Sequence, residues 1–369
     1  MGGRSRARVA VSHAIQQGYP ATTTKRTKKN SGRVNPYSIA GISIVFIYTV
    51  IYVYFRDSLP DKWSVDSAKI IEILNYGGAG GDLDNSFAVT AALFGLIGVD
   101  NLDVFTCGVS ALFLLFATHD IRRAGDFFTR LLLIAPCIML NMFAPSKETV
   151  VLIMTMFITV SAIYFRTSKK YTFISFLFLY AVYGVFVRQY YLLIVGVFFL
   201  VYWLWRRPLK YHVLAAIVAA GAIMAAPSSV LQTLQSPRDT SNAYAEQIGS
   251  DNRTAFTNIA SPATGPGFLV NYAYAGTVLI TPVLYFQTAS DFFMQLMIGA
   301  MLVILYRARK KARRGHDRYE TRFFASLFIA HILVQLIFEP DLGSFTRHLT
   351  SVLLYLIAIK VAERKPFLR

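Results

Sequence analysis

The fold class this sequence predicts is an all-α polytopic membrane protein, and three observations predict it. Hydrophobic residues make up 55% of the 369 residues and charged residues only 15%, where a soluble domain carries about a quarter. Mean hydropathy is +0.47. The apolar residues also fall in blocks of roughly 15 to 20, the length that crosses a bilayer core as a helix. An outer-membrane barrel would show short alternating segments instead.

Taken in order, spans are expected near 38–55, 104–118, 129–144, 149–165, 171–187, 190–205, 211–226, 290–306, 322–338 and 348–362. About ten transmembrane helices return both termini to one side. The connections on that side are HDIRRAGDFFTR, RTSKK, RRPLKYH and RARKKARRGHDRYETR. With the two tails they hold 29 of the 37 Lys and Arg, an excess that marks the cytoplasmic side. Because basic residues flank spans rather than line one soluble face, the net charge of +17 speaks to topology and membrane lipids, and no nucleic-acid partner is expected. Residues 1–37 carry eight Lys and Arg and no acid. They read as a disordered basic cytoplasmic tail near lipid headgroups, without the apolar core of a cleavable signal peptide. Residues 38–369 form a single transmembrane domain.

Two longer segments, 56–103 and 227–289, fall on the opposite face. The first contains the glycine-rich stretch GGAGGDLDN and an apolar run, Phe87 to Val99, too short to span comfortably and expected as an interfacial or re-entrant helix. The second is polar through Ser261 and then aromatic. A crossing at 273–286 would put RARKKARRGHDR on the wrong side, so this run is expected as a half-helix or re-entrant element. Cys107 and Cys137 both lie in apolar runs and read as packing residues, without a disulfide framework. The six His are scattered and no Cys or His pair has ligand spacing, so neither a metal nor another cofactor is expected. No phosphate loop or dinucleotide fingerprint occurs, which argues against chemistry driven by a nucleotide.

Chemistry is expected where cations break the charge rule. Lys147, Arg188 and Arg347 each sit at the end of an apolar span on the face that otherwise avoids positive charge, and ionisable groups held against a bilayer are by default functional. In Pro145-Ser146-Lys147-Glu148, Ser146 suits an N-cap and Glu148 the first helical turn. Lys147 is at the wrong end of the macrodipole, a position that makes sense beside an anionic ligand. Val187-Arg188-Gln189-Tyr190-Tyr191 could be a snorkelling arginine in an aromatic belt or a bidentate phosphate anchor. Glu339-Pro-Asp341-Leu-Gly-Ser-Phe-Thr-Arg347-His348 packs two acids, an arginine and an imidazole into one turn. Of the acids in the first outer segment (Asp61, Asp66, Glu72, Asp82 and Asp84), Asp66 is the preferred contact with a polar substrate. A lipid-linked diphosphate would lie at the depth of these cations, which could stabilise charge on a departing polyprenyl diphosphate. A carboxylate or His could deprotonate a sugar hydroxyl attacking the anomeric carbon.

PSKE at 145–148, RQYY at 188–191 and DLGSFTRH at 341–348 resemble motifs of the Wzy-type polysaccharide (O-antigen and capsule) polymerases, whose wider relatives are the GT-C glycosyltransferases. The resemblance implies a GT-C-like bundle in a bacterial inner membrane, with both termini cytoplasmic and segments 56–103 and 227–289 periplasmic. It implies an enzyme that joins undecaprenyl-diphosphate-linked oligosaccharide units on the periplasmic face. Lys147, Arg188, Gln189, Tyr190, Glu339, Asp341 and Arg347 would bind substrate and its diphosphate, and Glu148, His348 and Asp66 are the catalytic candidates. Implied partners are the lipid-linked oligosaccharide, membrane lipids, a chain-length regulator and export proteins of the envelope. A transporter of lipid-linked sugar, a single-sugar transferase and a scaffold subunit are the competing readings.

Overall fold

Apolar stretches of this length satisfy their backbone groups inside a bilayer only as helices. The structure, a computed structural model that describes residues 36–59, 65–76, 86–163, 168–247, 254–281 and 288–364, is helical almost throughout. The helices are α1 (Pro36–Phe55), α2 (Val65–Tyr76), α3 (Ser86–Gly95), α4 (Leu102–Thr118), α5 (Ala124–Asn141), α6 (Lys147–Ile163), α7 (Lys169–Phe186) and α8 (Tyr190–Leu204). They continue as α9 (Leu209–Ala225), α10 (Ser228–Gln247), α11 (Gly265–Ile280), α12 (Ala289–Arg313), α13 (Tyr319–Phe338), α14 (Leu342–Ser351) and α15 (Leu354–Arg364). Among the described residues the isolated β-bridge is one antiparallel pair, Ala255 with Asp341.

The segments 36–58, 99–118, 124–141, 289–313 and 319–338 are each long and apolar enough to cross a membrane, and counting α9–α10 and α14–α15 as one bent span each gives seven. The chain is therefore an all-α, multi-pass membrane protein. The other expected spans correspond to α6, α7 and α8, with 17, 18 and 15 residues. Burial separates protein-facing from lipid-facing helices. Of the apolar window of α13, 78% is buried, against 17% for α1. Ile42, Phe46, Ile47 and Val53 on α1 and Leu214, Ile217 and Val218 on α9 stay exposed, as side chains do when lipid is their solvent. Around α13 the rings of Phe173, Phe176, Phe198 and Phe323 pack edge to face or tilted at 4.6–5.8 Å.

Ion pairs sort into the two ends that the charge count assigned. One end joins Arg206 to Asp317, Lys311 to Glu363, and Lys360 and Arg364 to Asp126. The other joins Arg56 to Asp103, Arg188 to Glu148 and Arg347 to Asp66. Among the described residues no ion pair links the two sets.

Three expectations need correction. The span expected at 348–362 is broken, because α14 and α15 meet at 45°. Thr350 and Ser351 cause the break: their hydroxyls donate to the carbonyls of Arg347 (3.0 Å) and His348 (2.7 Å), competing with the helix ladder. The polar stretch after Pro227 opens with a 20-residue helix, α10, set at 104° to α9, since Pro227 has no N–H to continue the ladder. The helix of the aromatic run starts at Gly265, earlier than 273, and ends at Ile280. Thr264 caps α11 by accepting from the N–H of Gly267 at 3.2 Å, and Pro266 fits the first turn. Gly265 lies against Met224 and Ile223 at the end of α9. The 25 residues of α12 then run about 37 Å and end in the basic residues Lys310, Lys311 and Arg313. Residues 1–35 of the expected tail and the glycine-rich stretch 77–85 lie outside the described residues.

Candidate functional site

At the end of the bundle away from the basic connections, the starts of α2, α3 and α6, the α7–α8 turn, the end of α13 and the helix α14 deliver polar side chains to one cluster. Glu148 is its centre. Its Oε1 accepts a 2.7 Å hydrogen bond from Nη2 of Arg188 and lies 3.8 Å from Nε of Arg347 and 3.0 Å from Nε2 of His348. Nη1 of Arg347 pairs with Asp66 at 3.0 Å. On its other side His348 shares a short hydrogen bond, Nδ1 to Oε1 of Glu339, whose second oxygen accepts from Ser344 Oγ at 2.7 Å. Lys147 donates to the hydroxyl of Ser86 at 2.9 Å, and its ammonium sits 3.3 Å above the centre of the Phe87 ring.

Local sequence explains the delivery. Asp341 caps α14 by accepting from the N–H of Ser344 at 2.8 Å, and the four-residue step from Ser344 to His348 then puts both on the face towards Glu339. Asn141, at the end of α5, donates at 2.9 Å to the carbonyl of Arg347 and at 2.9 Å to Oγ1 of Thr350, which fixes α14 against the bundle. Arg238 of α10 donates to the carbonyls of Glu339 (3.1 Å) and Leu336, holding the end of α13. Lys147 opens α6, so the next residue, Glu148, turns inwards at 0% exposure.

A buried ion pair by itself contributes little, because desolvation roughly cancels the attraction. The unmatched atoms are more telling. Ser146 Oγ, Glu148 Oε2, Arg188 Nη1, the Tyr190 hydroxyl, Arg347 Nε and His348 Nε2 are buried with no hydrogen-bond partner among the described residues. Native interiors leave only a few such groups per hundred residues, so these six are donors and acceptors that water or a ligand can meet. Nε2 of His348 is near Glu148 but out of line for a hydrogen bond.

The electrostatics of the turns follow from burial and neighbours. Burial first, and Arg188 second, pull the Lys147 ammonium down to about 7. For Arg188 burial works downwards, yet the Glu148 carboxylate outweighs it and holds the guanidinium well above its usual range. For Glu339 burial works upwards, and His348 with the Ser344 hydrogen bond outweighs it, keeping the carboxyl below the usual range. Among the described residues no group of three His, Cys, Asp or Glu side chains is arranged to hold a metal ion.

Of the sequence-derived candidates, Asp66, Lys147, Glu148, Arg188, Glu339, Arg347 and His348 meet in this cluster. Tyr190 forms its wall, stacked on Phe338 with ring centres 5.2 Å apart. Gln189 is exposed on the turn, where it is the N-cap residue of α8. Asp341 serves as a helix cap. Ser146 does not cap through its hydroxyl; the hydroxyl of Thr149 instead accepts from the Ser146 N–H at 3.1 Å. Glu72 is exposed, and Asp61, Asp82 and Asp84 lie outside the described residues. Sequence reasoning missed Ser86, Phe87, Asn141 and Arg238. Arg238 gave a signal, as one of the eight cations on the outer face.

No protein-family model, no curated protein and no solved structure matches this chain.

Proposed function

We propose that this protein is a glycosyltransferase of the bacterial inner membrane that polymerises undecaprenyl-diphosphate-linked oligosaccharide units on the periplasmic face, within a GT-C-like bundle of about ten spans and with both termini cytoplasmic. The observation that carries the reading is the convergence of Lys147, Arg188 and Arg347 on one buried cluster that also contains a carboxylate-held imidazole. Arg188 Nη1, Arg347 Nε and the Lys147 ammonium receive the diphosphate oxygens, where charge grows as the leaving group departs. Glu339 holds Nδ1 of His348, which fixes the tautomer and leaves Nε2 as the base. The acceptor hydroxyl oxygen bonds to the anomeric carbon as the bond from that carbon to the diphosphate oxygen breaks. The electron pair leaves with polyprenyl diphosphate, and the hydroxyl proton goes to Nε2. Glu148 positions both arginines, and Asp66 acts through Arg347 rather than as a base.

The test is incubation of the purified protein in nanodiscs with a panel of undecaprenyl-diphosphate oligosaccharides, with products resolved by mass. A ladder of repeat units is expected, and its loss in Arg188→Met and His348→Gln. Addition of one sugar only would make the protein a single-sugar transferase. Movement of substrate across vesicles without a new glycosidic bond would make it a transporter.

A further inference from the structure

The other end of the bundle holds a cavity of about 740 Å³. Six cations line it: Arg122, Arg123, Arg307, Lys311, Lys360 and Arg364. The two carboxylates in its wall are already engaged, Asp126 by Lys360 (3.2 Å) and Arg364, and Glu363 by Lys311. Arg122 pairs with Asp120 at 2.8 Å. Arg123 and Arg307 have no ion pair among the described residues, so the cavity keeps an excess of positive charge. An adjoining cavity of about 340 Å³ shares Thr129, Arg307, Lys311, Lys360 and Glu363 with the first and continues past Ala300, Val303 and Ile304 of α12. Val303 is 46% exposed there.

We propose that these two joined cavities bind one anionic phospholipid from the leaflet at the basic end, with its phosphodiester headgroup among the arginines and an acyl chain along Ala300, Val303 and Ile304. Two features select a lipid. The headgroup cavity offers the guanidinium donors of Arg123 and Arg307, suited to phosphate oxygens, and its continuation adds the apolar side chains of Ala300, Val303 and Ile304, for which a soluble phosphate compound has no use. Basic pockets between transmembrane helices on the cytoplasmic side are the expected place for such headgroups. The site is separate from the outer cluster: α5 begins beside this cavity, and Asn141 at its far end bonds to Arg347, a distance of about 24 Å along the helix.

The experiment is native mass spectrometry of the full-length protein released from nanodiscs of equimolar phosphatidylglycerol and phosphatidylethanolamine. Preferential retention of phosphatidylglycerol is expected. The pair Arg123→Gln and Arg307→Gln should weaken it roughly thirtyfold, at about fivefold for each cation near a lipid surface. Val303→Trp, at an exposed position that leaves the core intact, should block the channel and reduce retention with both arginines in place. Equal retention of the two lipids, or unchanged retention in Val303→Trp, would overturn the assignment. Displacement of the lipid by glycerol 3-phosphate at matching concentration would overturn it too, by making the phosphate alone the ligand.

Discussion

Lys147 carries the sharpest prediction, because its ammonium is held at about 7 inside a site proposed to receive a dianion. The perturbation is pH. In the free site about one Lys147 in eleven is protonated at pH 8, against essentially all in a solvent-exposed lysine. A bound diphosphate favours the charged form, so binding takes up a proton at any pH above about 7. The apparent affinity then falls by about tenfold per pH unit, roughly fiftyfold between pH 7 and pH 9, and is flat below about pH 6. The assay is titration with a short-chain polyprenyl-diphosphate sugar, whose diphosphate is esterified at both ends and has no proton to lose in this range. Lys147→Arg keeps its charge at every pH used and should lose this slope. Stability moves with the opposite sign. The unfolded lysine keeps its proton up to about 10.5 whereas the folded one releases it near 7, so stability rises with pH across that window. A flat affinity profile in the wild type, or an unchanged slope in Lys147→Arg, would refute the placement of Lys147 against the ligand.

The other predictions concern the neighbours of that ammonium. His348→Gln should lower kcat by about 10²- to 10⁴-fold with little change in substrate affinity, and Glu339→Gln should lower it less while shifting the pH profile; equal losses in affinity would move His348 from catalysis to binding. Asp66→Asn releases Arg347 from its 3.0 Å pair and should tighten binding of the diphosphate ester about fivefold; weaker binding would mean that Asp66 touches the sugar instead. A Cβ on Gly267 would stand 2.0 Å from the carbonyl oxygen of Ser261, so Gly267→Ala should destabilise this turn by about 1–3 kcal/mol and expose residues 254–264 to protease. Unchanged proteolysis would show that the turn opens freely.

How much could be read from the sequence depended on whether a signal was local. The segregation of Lys and Arg was legible because insertion acts on short loops one at a time, and Arg206–Asp317 and Arg364–Asp126 close at the end it assigned. The three anomalous cations were legible for the same reason, since each violates that local rule. Which carboxylate served which cation was not. Glu148 meets Arg188 across 40 residues and Arg347 across 199, and no spacing rule covers such separations. Asn141 shows the limit well, because a polar residue at the end of a span normally reads as an interface residue. Its part in holding Arg347 and Thr350 exists only once α5 lies beside α14. The break between α14 and α15 was written locally, in Thr350 and Ser351, but an apolar run reads as continuous unless hydroxyl competition for the ladder is weighed.

Charge balance decides how a dianion could enter. With Lys147 protonated, Lys147, Arg188 and Arg347 balance Asp66, Glu148 and Glu339, so the cluster is close to neutral and an added dianion has to displace a carboxylate or find an unengaged cation. Lys147 has no carboxylate within ion-pair distance among the described residues; a hydroxyl and a ring face hold it. It is the cation available first. Glu148 cannot yield, being fully buried and touched by two arginines and His348. Glu339 is bound by His348 and Ser344 and is 3% exposed. Asp66 has one partner in this cluster and a side chain 21% exposed, on the short helix α2. A carboxylate that is part-solvated is the least costly to return to water, so under the proposed reading Asp66 is the group that would give way, and its release would free the Arg347 guanidinium for the incoming phosphate oxygens.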